Sequence, residues 1–336
     1  MAYKVSGTES IKDDKTVIFE NITATQRRAT FTSIGAYASF GYNMGGALPV
    51  VDTIEKYPFS SDANSTDVGN LISPLYAGSG NQSYISGYVS GNAATTTPPI
   101  ANVIQKFPFS VDANATDVGD LTQSRFGSAG QSSTIHGYIS GGADNYNNSN
   151  GTNVIDKFPF STDANATDVG DLSVTRGGNS GQSSSTHGYN SGGLSNLNLP
   201  PFVVYNTIDK FSFSSDGNAS DVGDLTQVRY LLAGQSSDAS GYASGGSGLG
   251  IPPYNTIDKF PFSSDANATD VGDISVTRSG LAGTSSSASG YSHGGSNPPG
   301  TDRYNTIDKF PFSSDGNATD VGDLLAIREY TAGTQG

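Results

Sequence analysis

The first candidates for chemistry in this chain are the hard-oxygen side chains of one acidic nonapeptide. "DANATDVGD" occupies Asp112–Asp120, recurs unchanged at Asp163–Asp171 and Asp265–Asp273, and has near copies from Asp62, Asp216 and Asp315. Asp112, Asn114, Asp117 and Asp120 place four oxygen-bearing side chains within nine residues, a donor set that Ca²⁺ accepts. The order lacks the mid-loop Gly and the closing bidentate Glu of an EF-hand, so a metal loop is a poor match. The stronger expectation is a turn. Asp and Asn make Asx-turns, Gly119 takes a conformation that other residues resist, and the last Asp is expected to pair with a repeat Arg between units. Each copy also holds an N-x-[ST] triplet, such as Asn114-Ala115-Thr116, which acts as a glycosylation acceptor only in a secretory context.

Other catalytic groups are sparse. The chain has no Cys, which excludes disulfides, thiolate metal sites and a thiol nucleophile. Its three His are His136, His187 and His293, and the first two stand at the same place just before "GY" in successive units. That placement reads as repeat decoration. Aspartates that recur in every unit cannot single out one site, and no Ser-His-Asp spacing or distinct carboxylate pair stands out. Neither an enzyme nor a cofactor is expected.

The elements that must position these residues follow from the repeat. The nonapeptides start at residues 62, 112, 163, 216, 265 and 315, a period of about 50 residues, which signals a solenoid, propeller or array. "GYNMGG" from Gly41 keeps step with them, followed by "GYVSGN" from Gly87, "GYISGG" from Gly137, "GYNSGG" from Gly188, "GYASGG" from Gly241 and "GYSHGG" from Gly290. "NTIDKFPF" or a variant precedes each nonapeptide, and a lone Arg (Arg125, Arg176, Arg229, Arg278, Arg328) follows five of them. One unit reads as four short strands: "AGQSS", "GYISGG", "NVIDKFPF" and "VGDLTQ", parted by Gly-, Asn- and Asp-rich turns. In the third strand, Ile208 and Lys210 face one way while Phe211 and Phe213 face the other. A sheet bulky on both faces must be sandwiched. Six four-stranded sheets packed face to face are the blades of a β-propeller, and no polar capping repeats suit an open stack.

Composition agrees. With 43 Gly and 34% hydrophobic residues in 336, the chain cannot build Leu-rich helical layers, so the fold class is all-β with Tyr and Phe carrying the core. A net charge of −14 with only 17 Lys plus Arg leaves no basic stripe for nucleic acid. There is no run of 18 apolar residues for membrane insertion, and no apolar signal-peptide region near the start.

Three markers carry a family resemblance: the Gly-Gly ending the second strand, the "NTIDKF" strand, and the Arg before the next first strand. Together they resemble the Kelch repeat of galactose-oxidase-type β-propellers over residues 28–336. The family's Trp is absent, as the chain has none, and Phe160 and its equivalents are expected in its place. The copper chemistry of that family does not carry over, because it needs a Cys–Tyr crosslink and clustered His. "SIGAYASF" before Gly41 and "TAGTQG" at the C-terminus both read as a first strand for the first blade, and one of them must close the ring.

Residues 1–27 lie outside the repeat and are too short for a core of their own, so they read as an attachment segment. "YKVSGTESIKDDKTVIFENIT" resembles the openings of phage fibre and virion proteins, and the "IDKFPFSSDANATDVGDLT" repeat resembles structural proteins of marine phages. The resemblance implies a virion appendage, made in the host cytoplasm and attached to other virion proteins through residues 1–27. A soluble bacterial Kelch-type protein- or carbohydrate-binding module is the competing class, and a sugar-acting enzyme is a third.

Recognition is expected in the connections between second and third strands, which vary most: "ADNYNNSNGTN" from Ala143, "LSNLNLPPFVVYN" from Leu194, "SGLGIPPYN" from Ser247 and "SNPPGTDRYN" from Ser296. In an up-and-down blade these loops share one face, and the nonapeptides ring the other. Tyr146, Phe202, Tyr205, Tyr254 and Tyr304, with neighbouring Asn and Asp, suit stacking on a host-surface glycan. The competing reading is that Tyr205, Tyr254 and Tyr304 begin third strands and simply pack.

Overall fold

The structure is a computed structural model that describes residues 4–5, 9–10, 38–47, 49–92, 101–143, 151–195, 202–298 and 302–336. The chain divides into two units, Met1–Thr32 and Ser33–Gly336; the expected 27/28 junction lies outside the described residues. In the first unit, Lys4–Val5 pairs antiparallel with Glu9–Ser10.

The described residues of the second unit form six four-stranded antiparallel sheets in a β-propeller. The third blade shows the pattern: inner strand Ala129–Ser132, second strand His136–Ser140, third strand Val154–Pro159 and outer strand Thr167–Asp171. The second strand stops where the chain turns left-handed at Gly141 (φ 67°) and Gly142 (φ 104°), conformations that a Cβ disfavours. The outer strand differs from expectation. It begins at Thr116 and ends at Asp120 in the second blade, so Leu121–Arg125 belong to the crossing to the next blade. A register shift between Ile155 and Asp156 bends the third strand against the outer one.

Each blade face packs on the next through aromatic rings. Tyr138 of the third blade stacks on Phe213 of the fourth with ring centroids 4.8 Å apart, and Tyr189, Tyr242 and Tyr291 repeat this on Phe262, Phe312 and Phe59. Tyr88 stacks on Phe160 at 4.9 Å and Tyr42 packs on Phe109 at 5.0 Å, which completes the circuit. Phe160 thus sits in a blade-to-blade aromatic contact, and such a pair adds about 1 kcal/mol to the area it buries. The Gly of each "GY" has its own cause. A Cβ on Gly137 would lie 2.3 Å from the Phe158 ring, which lies across that backbone from the paired third strand.

The centre of the ring is closed by glycine. A Cβ on Gly130 would lie 2.0 Å from the Gly80 carbonyl oxygen; Gly181 stands so to Gly130, Gly234 to Gly181, Gly283 to Gly234, Gly333 to Gly283, and Gly80 to Gly333. This circuit decides which terminus completes the first blade. The C-terminal Ala332–Gln335 is its inner strand, paired with Phe40–Met44. It places Gly333 in the circuit, whereas "SIGAYASF", counted back from Gly41 in the repeat's register, places Ile34 there. Residues 33–37 lie outside the described residues.

Gly130→Ala should therefore lower the stability of the propeller by about 3 kcal/mol, since backbone rather than a flexible side chain must move. Gly316→Ala should be neutral or stabilising by up to about 1 kcal/mol, because nothing lies within 4 Å and other units carry Ala at this position. Urea-unfolding midpoints of the two variants check both.

Candidate functional site

The nonapeptide is a clasp between blades. Asp112 takes an ion pair from Lys56 of the preceding blade at 2.5 Å, and the circuit continues through Lys106–Asp163 at 2.9 Å, Lys157–Asp216 at 2.5 Å, Lys210–Asp265, Lys259–Asp315 at 2.9 Å and Lys309–Asp62 at 2.9 Å. The hydrogen bonds to Asp163, Asp315 and Asp62 hold the Lys106, Lys259 and Lys309 ammonium groups above their ordinary pKa. Asn114 Oδ1 accepts from the Asn70 amide of the preceding blade at 2.9 Å, while Asp117 Oδ1 accepts from its own Gly119 amide at 3.1 Å. The tail reaches forward: the Asp120 amide donates to Asn165 Oδ1 of the next blade at 3.1 Å, and Asp120 O accepts from the Ala166 amide at 2.8 Å. Gly119 has φ 151°, and a Cβ there would lie 2.5 Å from Ala164 O of the next blade. Three of the four oxygen-bearing residues considered for a metal are thus held in separate protein contacts, and Asp120 is engaged through its backbone. No group of three His, Cys, Asp or Glu that could hold an ion occurs among the described residues.

The repeat Arg does not meet the last Asp of the nonapeptide. Asp120 closes the outer strand, and Arg125 lies just beyond it on the crossing, with its guanidinium turned to the third strand of the next blade. Instead, each Arg pairs with a buried acid of the third strand that it leads into. Arg125 meets Asp156, Arg176 meets Asp209 at 2.7 Å, and Arg229–Asp258, Arg278–Asp308 and Arg328–Glu55 close at 2.9 Å. Asp156 also accepts from the Thr122 amide at 3.0 Å and from Thr122 Oγ1 at 2.7 Å, which fixes the crossing. Arg229 adds hydrogen bonds to the carbonyls of Gly245, Thr256 and Ala243. Burial pulls the guanidinium groups of Arg125, Arg176, Arg229 and Arg278 below their ordinary pKa, and the adjacent carboxylates work against that pull. The second blade lacks this pair: Leu75 stands at the Arg position and Gln105 at the acid position, with Gln105 Oε1 accepting from the Ile72 amide at 2.8 Å. Arg and acid are thus replaced together within one chain.

The loop face lies above these pairs. Tyr205, Tyr254 and Tyr304 are half-buried just before third strands, near enough to Arg176, Arg229 and Arg278 to act on them electrostatically. Their carbonyls accept from the Arg229, Arg278 and Arg328 amides at 3.2–3.3 Å, and their own amides donate to Gly193, Gly246 and Gly295. These bonds hold the backbone at each Tyr, and each residue keeps part of its surface in solvent. Phe202 is exposed, and Tyr146 lies outside the described residues. On the sixth blade the loop holds a short hairpin, Ser296–Asn297 against Asp302–Arg303, with Arg303 paired to Glu329 at 3.1 Å.

The histidines divide in two. His136 and His187 are half-buried at the start of second strands on the nonapeptide face, with burial and a nearby Lys lowering their pKa. His293 is fully buried where Ser140, Ser191 and Ser244 stand in other blades, and neither ring nitrogen has a partner among the described residues. It lies edge-on to Tyr57 at 5.7 Å, in the seam between the sixth and first blades, where the Tyr57 hydroxyl meets Thr284 Oγ1 at 2.5 Å. Burial, with Arg278 adding repulsion, pushes its pKa down to about 3.

No protein-family model matches the sequence, and a comparison with curated proteins finds no match either.

Two measurements follow from these buried groups. Arg229→Leu alone leaves Asp258 buried and unpaired and should cost about 4 kcal/mol, whereas the double replacement R229L/D258Q, which copies Leu75 and Gln105, should recover most of it. A double-mutant cycle by urea unfolding reads the coupling. His293 is neutral when folded and titrates near its ordinary pKa of 6.5 when unfolded, so its contribution is complete above that value and is lost as pH falls toward 3. The loss should reach about 2 kcal/mol at pH 5, and His293→Ser should flatten the stability profile between pH 6.5 and pH 4.

Proposed function

We propose that this chain is a non-enzymatic structural and attachment component of a phage particle, a Kelch-like propeller held to other virion proteins by residues 1–27. The observation that carries this reading is the division of labour between the two faces. The repeated acidic segment is consumed by contacts between blades, whereas the loops of the opposite face differ in length and composition from blade to blade. A rigid scaffold with one varied face suits recognition of a surface. The Gly-Gly ending of five second strands and the Arg before five of the six inner strands support the Kelch likeness, and the likeness of the leader to virion protein openings supports the setting.

The repetition of the buried acids from blade to blade favours the non-enzymatic reading. Every buried Asp of the third strand has the same Arg or backbone partners as its counterparts, so none is set apart as an acid or base. A host-surface glycan fits the more polar loops, where the exposed Asp302 and the Asn-rich segment containing Tyr146 offer groups for sugar hydroxyls.

Calorimetric titration with purified host lipopolysaccharide or capsule tests the glycan. Tyr146→Ala with Asp302→Ala should weaken binding at least about tenfold, and unchanged affinity would overturn the loop assignment. A density map of the particle tests the setting. Residues 1–27 should lie ordered against another virion chain, and a propeller that never co-purifies with particles would sink the virion role.

A further inference from the structure

Twelve large hydrophobic side chains are exposed among the described residues, and five of them gather on three neighbouring segments of the loop face. Phe202 and Val203 belong to the fourth blade's loop, Val228 to the crossing between the fourth and fifth blades, and Leu249 and Ile251 to the fifth blade's loop; they are 38–47% exposed. Backbone hydrogen bonds hold the three segments side by side. The Arg229 amide, next to Val228, donates to Tyr205 O at 3.2 Å, and Tyr230 and Ser247 exchange bonds of 3.0 and 2.8 Å. Val203 is fixed by bonds in both directions to Ser195.

The patch carries no charge. Leu194–Asn206, Leu225–Val228 and Ser247–Asn255 contain no Asp, Glu, Lys or Arg, in a chain whose net charge is −14. On the opposite face, the exposed Val111 is followed directly by Asp112 of the acidic clasp. Two copies of so acidic a chain repel one another over most of their surface, and the approach least opposed is through this charge-free patch. We propose that it pairs with the same patch on a second copy of this chain, forming a two-fold symmetric dimer. Five half-exposed side chains offer on the order of 400 Å² per copy, the size at which an apolar patch marks an interaction site. Two facing patches then bury about 800 Å², the low end of specific interfaces, so the dimer is weak and reversible. A two-fold axis suits a flat apolar patch because each residue meets its own kind or an apolar neighbour. Pairing also presents two sets of the remaining loops together, which multiplies attachment to a repeating surface. It does not depend on what those loops bind, so its test reads assembly alone.

Sedimentation equilibrium of the full chain is the experiment. The native chain should show a monomer–dimer equilibrium with a Kd on the order of 10 µM. Val203→Asp and Ile251→Asp should each raise that Kd at least about tenfold, and about 1 M salt should leave the dimer intact or tighten it, because screening relieves the repulsion between copies. Leu249→Ser, milder and equally exposed, serves if an Asp variant misfolds, and Val111→Asp on the other face should change nothing. A native chain that remains monomeric at about 100 µM overturns the proposal, as does a dimer that survives the patch variants or is lost with Val111→Asp.

Discussion

The closest constraint in this molecule is steric: the inner strands of neighbouring blades approach until only glycine fits between them. Gly80, Gly130, Gly181, Gly234, Gly283 and Gly333 each face the carbonyl of the preceding member, and a Cβ at any of them would enter backbone. Everything radially outward inherits that spacing. The Tyr–Phe stacks, the buried Arg–acid pairs and the Lys–Asp clasps repeat from blade to blade, and the stacks and clasps each run through all six seams. A blade is therefore never satisfied alone, since both its faces carry side chains whose partners belong to a neighbour.

Much of this was legible in the sequence. The period, the four strands and the alternation of Ile208 and Lys210 against Phe211 and Phe213 led to face-to-face packing, because turn residues and period-2 burial are local signals. The face on which the turn at the front of the nonapeptide sits followed from strand order alone. What escaped were relations between units. That Asp112 bonds a Lys of the preceding blade, while Asp120 is bound by the next, depends on the angle between sheets, which no local pattern encodes. The Arg–Asp pairing left a trace, since Leu75 and Gln105 change together, but it emerges only when units are aligned with one another. The nearness of Tyr205, Tyr254 and Tyr304 to buried guanidinium groups escaped as well, because an aromatic before a strand carries no signature of the charge beside it.

Five buried ion pairs are an expensive way to fix five crossings. Desolvating a guanidinium and a carboxylate consumes most of their attraction, and an apolar pair of similar volume often serves stability as well. The second blade illustrates this, with Leu75 fully buried and Gln105 alone holding the crossing amide. What the charged version adds is direction. Arg229 reaches four acceptors at once, the Asp258 carboxylate, the Ala243 carbonyl of the second strand and the Gly245 and Thr256 carbonyls at the two ends of the loop, so it sets the depth at which the loop face sits over the blade. The varied loops stand on a platform whose geometry is repeated five times over.

Near-identical blades bring their own hazard, because any unit's outer surface fits any other's and a ring of similar parts has several ways to close. The departures from the repeat are concentrated where the chain must come back on itself. Leu75 and Gln105 mark the entry to the second blade; Glu55, longer than the Asp of other blades, meets Arg328 in the first. The seam between the sixth and first blades brings together Tyr57, where the other blades have Phe, Thr284, where the third, fourth and fifth have Gln, and His293, where the second to fifth have Ser. A Tyr hydroxyl that finds its partner only on Thr284 is satisfied only when these two blades meet. Placed against a Gln-bearing blade it would lose that bond and crowd a longer side chain, and a buried unsatisfied hydroxyl costs about 1–3 kcal/mol. The symmetric shells thus supply the strength of the ring, and the few asymmetric residues give its ends an identity.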